Sequence, residues 1–275
     1  MKALTKEIIQ GILKVRKSDS HKGNYGHGLL IAGEIGKIGA AIISAKACLR
    51  SGIGLLTVNV PKDERLIVQV GIPEAMLSFR EDSKIEPINY SALAIGPGIG
   101  KSQLSINWLK HALSSKNRPT LIDADGLNIL AEHTDLFHQL NENTILTPHP
   151  KEFDRLFGQC ENTEERIAIA KKKANDLNII IVLKGSQTHI ISKEEVIVNT
   201  NGNSGLSKGG SGDALTGMIL SFLAQGYLPI EAAQVAVFLH GLAADLTQDS
   251  QSHESMLISD VIENIGKSFK TIGNI

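Results

Sequence analysis

Two cysteines in 275 residues, Cys48 and Cys160, are too few for a disulfide framework. They lie far apart without metal-ligand spacing, and Cys48 falls in an apolar helical pattern, so buried free thiols of a reducing compartment are expected. Long hydrophobic runs are missing as well. The N-terminal stretch MKALTKEIIQGILKVRK interleaves charges with apolar residues at helical spacing, unlike a signal peptide. No span approaches the roughly twenty apolar residues that cross a bilayer. The expectation is a cytoplasmic protein without membrane contact. There is no charge surplus either. Lys and Arg number 28 against 29 Asp and Glu, a formal net charge of -1, so nothing electrostatic recommends nucleic acid as a partner. Linkers, repeats and low-complexity tracts are absent, and residues 1–275 are expected to form a single domain.

What the sequence does contain is alternation. HGLLIAG, LLTVNV, SALAIGPG, PTLIDAD, NTILTP and IIIVLKG are short apolar runs bounded mostly by Gly, Pro or Asp. Between them lie helical patterns such as AAIISAKACLRS, SQLSINWLKHALSS and TEERIAIAKKKANDL. Strands apolar on both faces and separated by helices predict a three-layer α/β/α domain around a mostly parallel sheet. THIISKEEVIVN reads as a hairpin. After it come ALTGMILSFLAQG and IEAAQVAVFLHGLAADL, two helices, the first apolar around most of its circumference and therefore central. In such sheets ligands bind beyond the carboxyl ends of the strands. Polar clusters fall there at Gly33, Gly96, Asp123, Thr147 and Lys184.

Individual motifs differ in weight. GPGIGKS is not a P-loop, because that motif needs a glycine five positions before its Gly-Lys pair and Ile95 stands there. The turn is still glycine-lined, and Gly100 is expected to face a ligand. TPHPKEF opens a helix, with Pro150 suited to its first turn and Glu152 to its positive end. His149, between two prolines on the rim, reads as a substrate contact, with a plain helix start as the alternative. KGSQT (Lys184, Gly185, Ser186, Gln187, Thr188) leaves a strand end with small polar residues where a nucleotide fits, though alone it reads equally as a turn.

The strongest signal is SKGGSGD before an apolar helix. Glycine lets successive amides turn inward and leaves no side chain to block an oxyanion. At a helix N-terminus, Gly209, Gly210, Ser211 and Gly212 make an anion hole for phosphate. Asp213 beside it suits a general base that deprotonates a hydroxyl attacking phosphorus. Helix capping by Asp213 is the competing reading.

A glycine-rich loop ending in this aspartate resembles the ribokinase-like superfamily. DSHKGNYGHGLLIAG at Asp19, GAAIISAKACLRSGIGLLTV at Gly39, AIGPGIG, LIDADGLNIL, LTPHPKEFDRL, VLKGSQT and GGSGDALTGMI follow the order and spacing of the ADP-dependent NAD(P)H-hydrate dehydratases within it. The family loop is usually close to NPGMATGGTGD, whereas this chain has NSGLSKGGSGD, with Ser204 and Leu206 at the proline and methionine positions. Lys208 is a further departure: its ammonium either reaches bound phosphate or stays solvated.

The resemblance implies repair of the (6S) hydrate of NADH or NADPH with ADP (or ATP) as co-substrate and Mg²⁺ as phosphate counter-ion, its protein ligands unassigned. It implies Asp213 as the base, nucleotide contacts from Lys184 to Thr188 and from Gly209 to Gly212, and substrate contacts from Ala40, Gly100, His149, Lys151, Glu152 and Asp213. His149 and Lys184 are expected on opposite halves of the cleft. A homotetramer is implied, with a separate hydrate epimerase in the same pathway, because the chain begins too late to hold the N-terminal epimerase domain of many relatives. The alternative is a ribokinase-like kinase that phosphorylates a small alcohol such as a vitamin precursor.

Overall fold

The computed structural model describes residues 1–82, 90–114 and 117–273. Its strands are β1 (Lys2–Ala3), β2 (His27–Ile31), β3 (Leu55–Val60), β4 (Met76–Phe79), β5 (Ala92–Ile95), β6 (Thr120–Ile122), β7 (Thr144–Leu146), β8 (Ile180–Leu183), β9 (Thr188–Ile191) and β10 (Val196–Asn199). They form one sheet in the order β1-β10-β9-β8-β7-β6-β5-β2-β3-β4. From β4 to β8 every pairing is parallel. The expected hairpin is β9–β10, antiparallel to its neighbour β8 at that edge. Two strands escape the apolar-run criterion. β1 is a two-residue edge strand, and β4 is only partly buried, so neither reads as an apolar run.

The helices are α1 (Lys6–Ile12), α2 (Ile38–Arg50), α3 (Arg65–Gly71), α4 (Gln103–Leu113), α5 (Ala124–Glu132), α6 (Pro150–Phe157), α7 (Thr163–Leu177), α8 (Ser211–Ala224), α9 (Pro229–Thr247) and α10 (Ile258–Ile272). α10 is a third helix beyond the glycine-rich loop, where two were expected. Alternation along each strand sorts the core into two layers. Leu30, Val58, Ala94, Leu121 and Val182 pack with α2, α8, α9 and α10 on one face. Leu29, Ile31, Ile95, Ile122 and Ile181 pack with α4, α5, α6 and α7 on the other. α8 is buried along nearly its whole length, as its apolar circumference predicts. Cys48 is buried and Cys160 only half-buried, so the second thiol departs from expectation because α6 and its following loop lie at the surface.

Strand order reverses between β2 and β5. From β2 the chain steps outward through β3 and β4, and from β5 it steps the other way through β8. The carboxyl ends there diverge into a crevice, the usual ligand position of a doubly wound sheet. The loop after β2 is tied to the loop after β5, since Gly33 N–H donates to Pro97 O at 2.7 Å.

α2 and α8 approach so closely that a Cβ at Gly217 would lie 1.9 Å from the Ser44 carbonyl oxygen. Gly217→Ala must therefore push the two helices apart. The expected loss is at least about 1–3 kcal/mol, the usual cost of overpacking a core. Thermal melts check this, and an unchanged Tm would contradict the close approach.

Candidate active site

The carboxyl ends of β6 and β8 carry a buried charged cluster. Lys184 Nζ donates to Asp123 Oδ1 at 2.7 Å, and Thr216 Oγ1 of α8 donates to Asp123 Oδ2 at 2.8 Å. Asp123 is 1 % exposed, so both of its oxygens are satisfied by protein. Burial pulls the Lys184 ammonium down, but Asp123 and Glu152 outweigh it and hold its pKa above the ordinary value. Its backbone is fixed as well, with Lys184 N–H donating to Pro148 O at 2.9 Å. Gly185, Ser186 and Gln187 lie exposed in the turn that leads to Thr188 at the start of β9.

The glycine-rich loop meets this cluster. A Cβ on Gly212 would stand 3.2 Å from Lys184 Nζ and 3.8 Å from Asp123 Oδ2, so a larger residue would crowd the ion pair. Gly210 is the N-cap of α8 in a left-handed conformation (φ 95), and no side chain caps that end. The first-turn amides and the helix dipole thus face the crevice uncapped. Ser211 and Gly212 precede Asp213 within the helix, so Asp213 is not the cap, and the capping alternative fails. Burial, reinforced by the Asp123 carboxylate, pushes the Asp213 pKa up from 3.8 to about 6, with Lys184 opposing. A carboxylate with that pKa is ionised at neutral pH and is a stronger base than an ordinary aspartate.

His149 is the N-cap of α6. Its Nδ1 accepts from the Lys151 and Glu152 amides at 3.1 and 3.3 Å, and Glu152 Oε2 accepts from His149 N–H at 2.8 Å, a reciprocal capping box. With Nδ1 accepting, the ring proton sits on Nε2, 3.4 Å from Glu152 Oε1. Burial and the Lys184 charge lower the His149 pKa, which keeps the imidazole neutral. Burial raises that of Glu152, against the pull of Lys184. The plain helix-start reading of His149 is therefore fulfilled, and its ring edge also lines the cluster. Lys151 is exposed on the rim. His149 and Lys184 are brought to one cluster. Glu152 stands between them, its Oε2 3.9 Å from Lys184 Nζ, because α6 starts at the end of β7, the neighbour of β8.

On the far side of Asp123, the GPGIG turn packs on α2. A Cβ at Gly98 would sit 3.1 Å from Ala40 Cβ, and one at Gly100 would collide with Glu34 Oε2. Gly98 and Gly100 adopt φ 64 and 68, a region that favours glycine. Gly100 N–H donates to Asp125 Oδ2 at 2.9 Å, so that amide is already engaged. Asp125 also faces Lys37 Nζ at 3.8 Å. Beneath this loop lies Arg80, 4 % exposed, whose guanidinium donates to the carbonyls of Gly33, Ala32 and Asn59 at 2.7, 2.9 and 2.9 Å. Burial lowers its pKa to about 10. Strand-end carbonyl dipoles are its hydrogen-bond partners, along with the Asn59 side chain.

Lys208 is partly exposed and engaged by backbone carbonyls. Its Nζ donates to the carbonyls of Glu254 and Met256 at 2.6 and 2.7 Å, fastening the loop to the segment before α10. Four residues escaped the sequence reading as site residues: Asp123, Thr216, Asp125 and Arg80. Asp123 carried a signal, an aspartate at the carboxyl end of an apolar parallel strand. Thr216 and Arg80 carried none, since their partners lie 93 and up to 48 residues away.

The folded-state pKa of Asp213 lies above its ordinary value of 3.8, so the folded protein holds that proton more tightly. Stability is then lost as pH rises from about 4 to about 6. Asp213→Asn should melt at a higher temperature than the parent at pH 8, with the gain fading near pH 4. An asparagine variant less stable than the parent at pH 8 would contradict the buried, repelled carboxylate.

Comparison with known proteins agrees with this geometry. The NAD(P)H-hydrate dehydratase family model matches residues 28–267. The chain is 36% identical over 278 residues to an ADP-dependent (S)-NAD(P)H-hydrate dehydratase of Bacillus subtilis (strain 168), covering 97% of this chain and 98% of that protein. It is 32% identical over 276 residues to the bifunctional NAD(P)H-hydrate repair enzyme Nnr of Moorella thermoacetica; 94% of this chain aligns, but it spans only 52% of that relative's length. A crystal structure of an ADP/ATP-dependent NAD(P)H-hydrate dehydratase from Bacillus subtilis, co-crystallised with ATP and Mg²⁺, superposes with a TM-score of 0.88 at 32% identity and 99% coverage of both chains. A ribokinase-like superfamily protein from Enterococcus faecalis V583 superposes with a TM-score of 0.89 at 30% identity, covering 99% of this chain and 96% of the other. The extent of these matches places the chain in the NAD(P)H-hydrate dehydratase family.

Proposed function

We propose that this protein dehydrates the (6S) hydrate of NADH or NADPH at the expense of ADP, releasing AMP and phosphate. The observation that carries the reading is Asp213, raised to about 6 and set in the first turn of α8 beside the Lys184–Asp123 pair. Hydroxide leaves badly from carbon, so the ring hydroxyl must first be activated. Asp213 takes the hydroxyl proton as its oxygen attacks the β-phosphorus of ADP, and the bond to AMP breaks. The uncapped amides from Gly209 to Gly212 receive the transferring phosphoryl group. The ring nitrogen lone pair then expels phosphate, and loss of the neighbouring ring proton restores the dihydropyridine.

In this reading Lys184 and the turn through Gly185, Ser186, Gln187 and Thr188 face the nucleotide, while Ala40, Gly100, His149, Lys151 and Glu152 face the hydrate. Both Asp123 oxygens are engaged by Lys184 and Thr216, and among the described residues no group of His, Cys, Asp or Glu has a metal-site arrangement. A Mg²⁺ ion held chiefly by the nucleotide phosphates and water fits that donor set, as is common for this ion. When bound it would neutralise phosphate charge.

Residues 1–275 act as one domain and assemble as a homotetramer, a reading supported by exposed Leu66, Ile67 and Val70 on α3. The working location is the cytoplasm; among the described residues no helix is long and apolar enough to cross a membrane. The opposite epimer requires a separate NAD(P)H-hydrate epimerase acting in the same pathway.

Incubation of the pure protein with hydrated NADH and ADP should restore the dihydronicotinamide absorbance and release inorganic phosphate in equal amounts. A stable phosphorylated product without recovered absorbance would instead establish a small-alcohol kinase. Asp213→Asn should bind ADP at least as tightly as the parent, since a negative charge beside phosphate is gone. Its kcat should fall at least about 10²-fold, the low end for a lost general base. The parent's kcat/KM should decline below pH about 6, where Asp213 takes up its proton. Turnover by the asparagine variant within a few-fold of the parent removes Asp213 from the mechanism.

A further inference from the structure

The motif at Asp19 takes no part in the crevice. DSHKGNYGHG lies at the opposite end of the sheet, where β2 and β3 begin. Gly54 N–H donates to Tyr25 O and Leu55 N–H to Gly26 O, both near 3.0 Å, so the loop is pinned under the amino ends of these strands. A Cβ at Gly54 would overlap the Lys22 carbonyl, which shows how tightly it is pressed there. The length of β2 alone, five residues, separates this loop from the carboxyl-end crevice by about 16 Å.

Beside the loop lies an open depression of about 370 Å³ lined by the exposed Arg16, Lys17, His21 and Lys22 together with Ser20 and Tyr25, over a floor of Ile53 and Gly54. Its walls are one-signed. Three permanent cations line it without a carboxylate, in a chain whose formal net charge is -1. Asp19, the one acid of the loop, is exposed and does not line the cavity. Among the described residues neither the Lys17 nor the Lys22 ammonium has an ion-pair partner.

Arg16, Ser20, Tyr25 and His21 are held in place, whereas Lys17 and Lys22 are exposed. The Arg16 guanidinium lies 3.8 Å over the Tyr25 ring and donates to Gly52 O, while Ser20 bonds the Tyr25 hydroxyl. His21 Nδ1 accepts from Gly23 N–H at 3.1 Å, which fixes the ring and leaves Nε2 to the cavity side. Like charges gathered on one loop raise the local positive potential, which attracts an anion. The cavity is of ligand size and larger than one phosphate needs.

We propose that this pocket is a second anion-binding site, remote from Asp213, which takes the pyrophosphate of a nucleotide. Two sources share that chemistry, the diphosphate of ADP and the bridging diphosphate of a nicotinamide dinucleotide. The site stands or falls independently of the proposed reaction, because it is tested by binding alone.

Calorimetric titration with inorganic pyrophosphate should detect binding to the parent chain and to Lys184→Gln, whose crevice has lost its cation. Lys17→Glu/Lys22→Glu in the Lys184→Gln background should weaken that remaining binding at least about tenfold, the scale of one charge-assisted hydrogen bond. Both lysines are exposed, so the fold tolerates the exchange, and the milder Lys17→Gln/Lys22→Gln pair repeats the measurement without charge reversal. ADP and oxidised NAD are then titrated against the same variants, and whichever loses affinity on the lysine exchange identifies the source. Loss of all pyrophosphate binding in a Lys184→Gln chain whose thermal melt shows it folded, or equal affinity with and without the two lysines in that background and in the parent, overturns the proposal.

Discussion

The buried hydrogen-bonded pair of Lys184 and Asp123 is the interaction on which the rest of the crevice depends. It joins the ends of β8 and β6 across β7, and Thr216 brings α8 onto the same carboxylate. A buried ion pair is tolerated only when its remaining valences are satisfied, and breaking one partner costs far more than the pair contributes. Here Glu152 shares the ammonium from the β7 side and Gly212 leaves it room from the α8 side. Three carboxylates, Asp123, Glu152 and Asp213, thus surround one cation. Burial is the main cause that raises Asp213, and the surrounding carboxylates add to it against the pull of Lys184.

The same site shows a tension between stability and chemistry. Glycine at positions 209, 210 and 212 weakens the start of α8, and an uncapped helix end leaves its amides unpaired. A fold optimised for stability alone would cap that helix and neutralise Asp213. Both defects are tolerable because α8 is buried between α2, α9 and the sheet, so packing along its length holds the N-terminus in place. Lys208 adds a tether by binding the Glu254 carbonyl and the Met256 carbonyl ahead of α10.

The opposite flank of the crevice is organised by a different device. Arg80 gathers three carbonyls at the ends of β2 and β3, and Gly33 then reaches Pro97 across the point where strand order reverses. Ala40 and Gly98 meet over this floor, and Asp125 holds the Gly100 amide. The two flanks are joined at Asp123, whose backbone N–H is bonded to Ile95 O at 3.0 Å, and by the close packing of α2 on α8.

Much of this was legible before any coordinates. Apolar runs such as LLTVNV and IIIVLKG are buried on both faces, and only a strand flanked by helices allows that, so the parallel sheet follows from residue type. The SKGGSGD stretch likewise announces its site, because few folds have a use for such a loop before a core helix. What local sequence cannot carry is pairing between distant residues. The Arg80 contacts, the Thr216 bond to Asp123 and the nearness of His149 to Lys184 exist only once β4, β6, β7 and β8 lie side by side. Lys208 shows the limit most plainly: its position in the loop suggested phosphate or solvent, and its direction was decided by carbonyls 46 and 48 residues further along the chain. The residues themselves determined which side chains the crevice can hold, whereas the tertiary packing decided which charges face one another, because Asp123, Glu152, Lys184 and Asp213 meet only where separate strands and helices end.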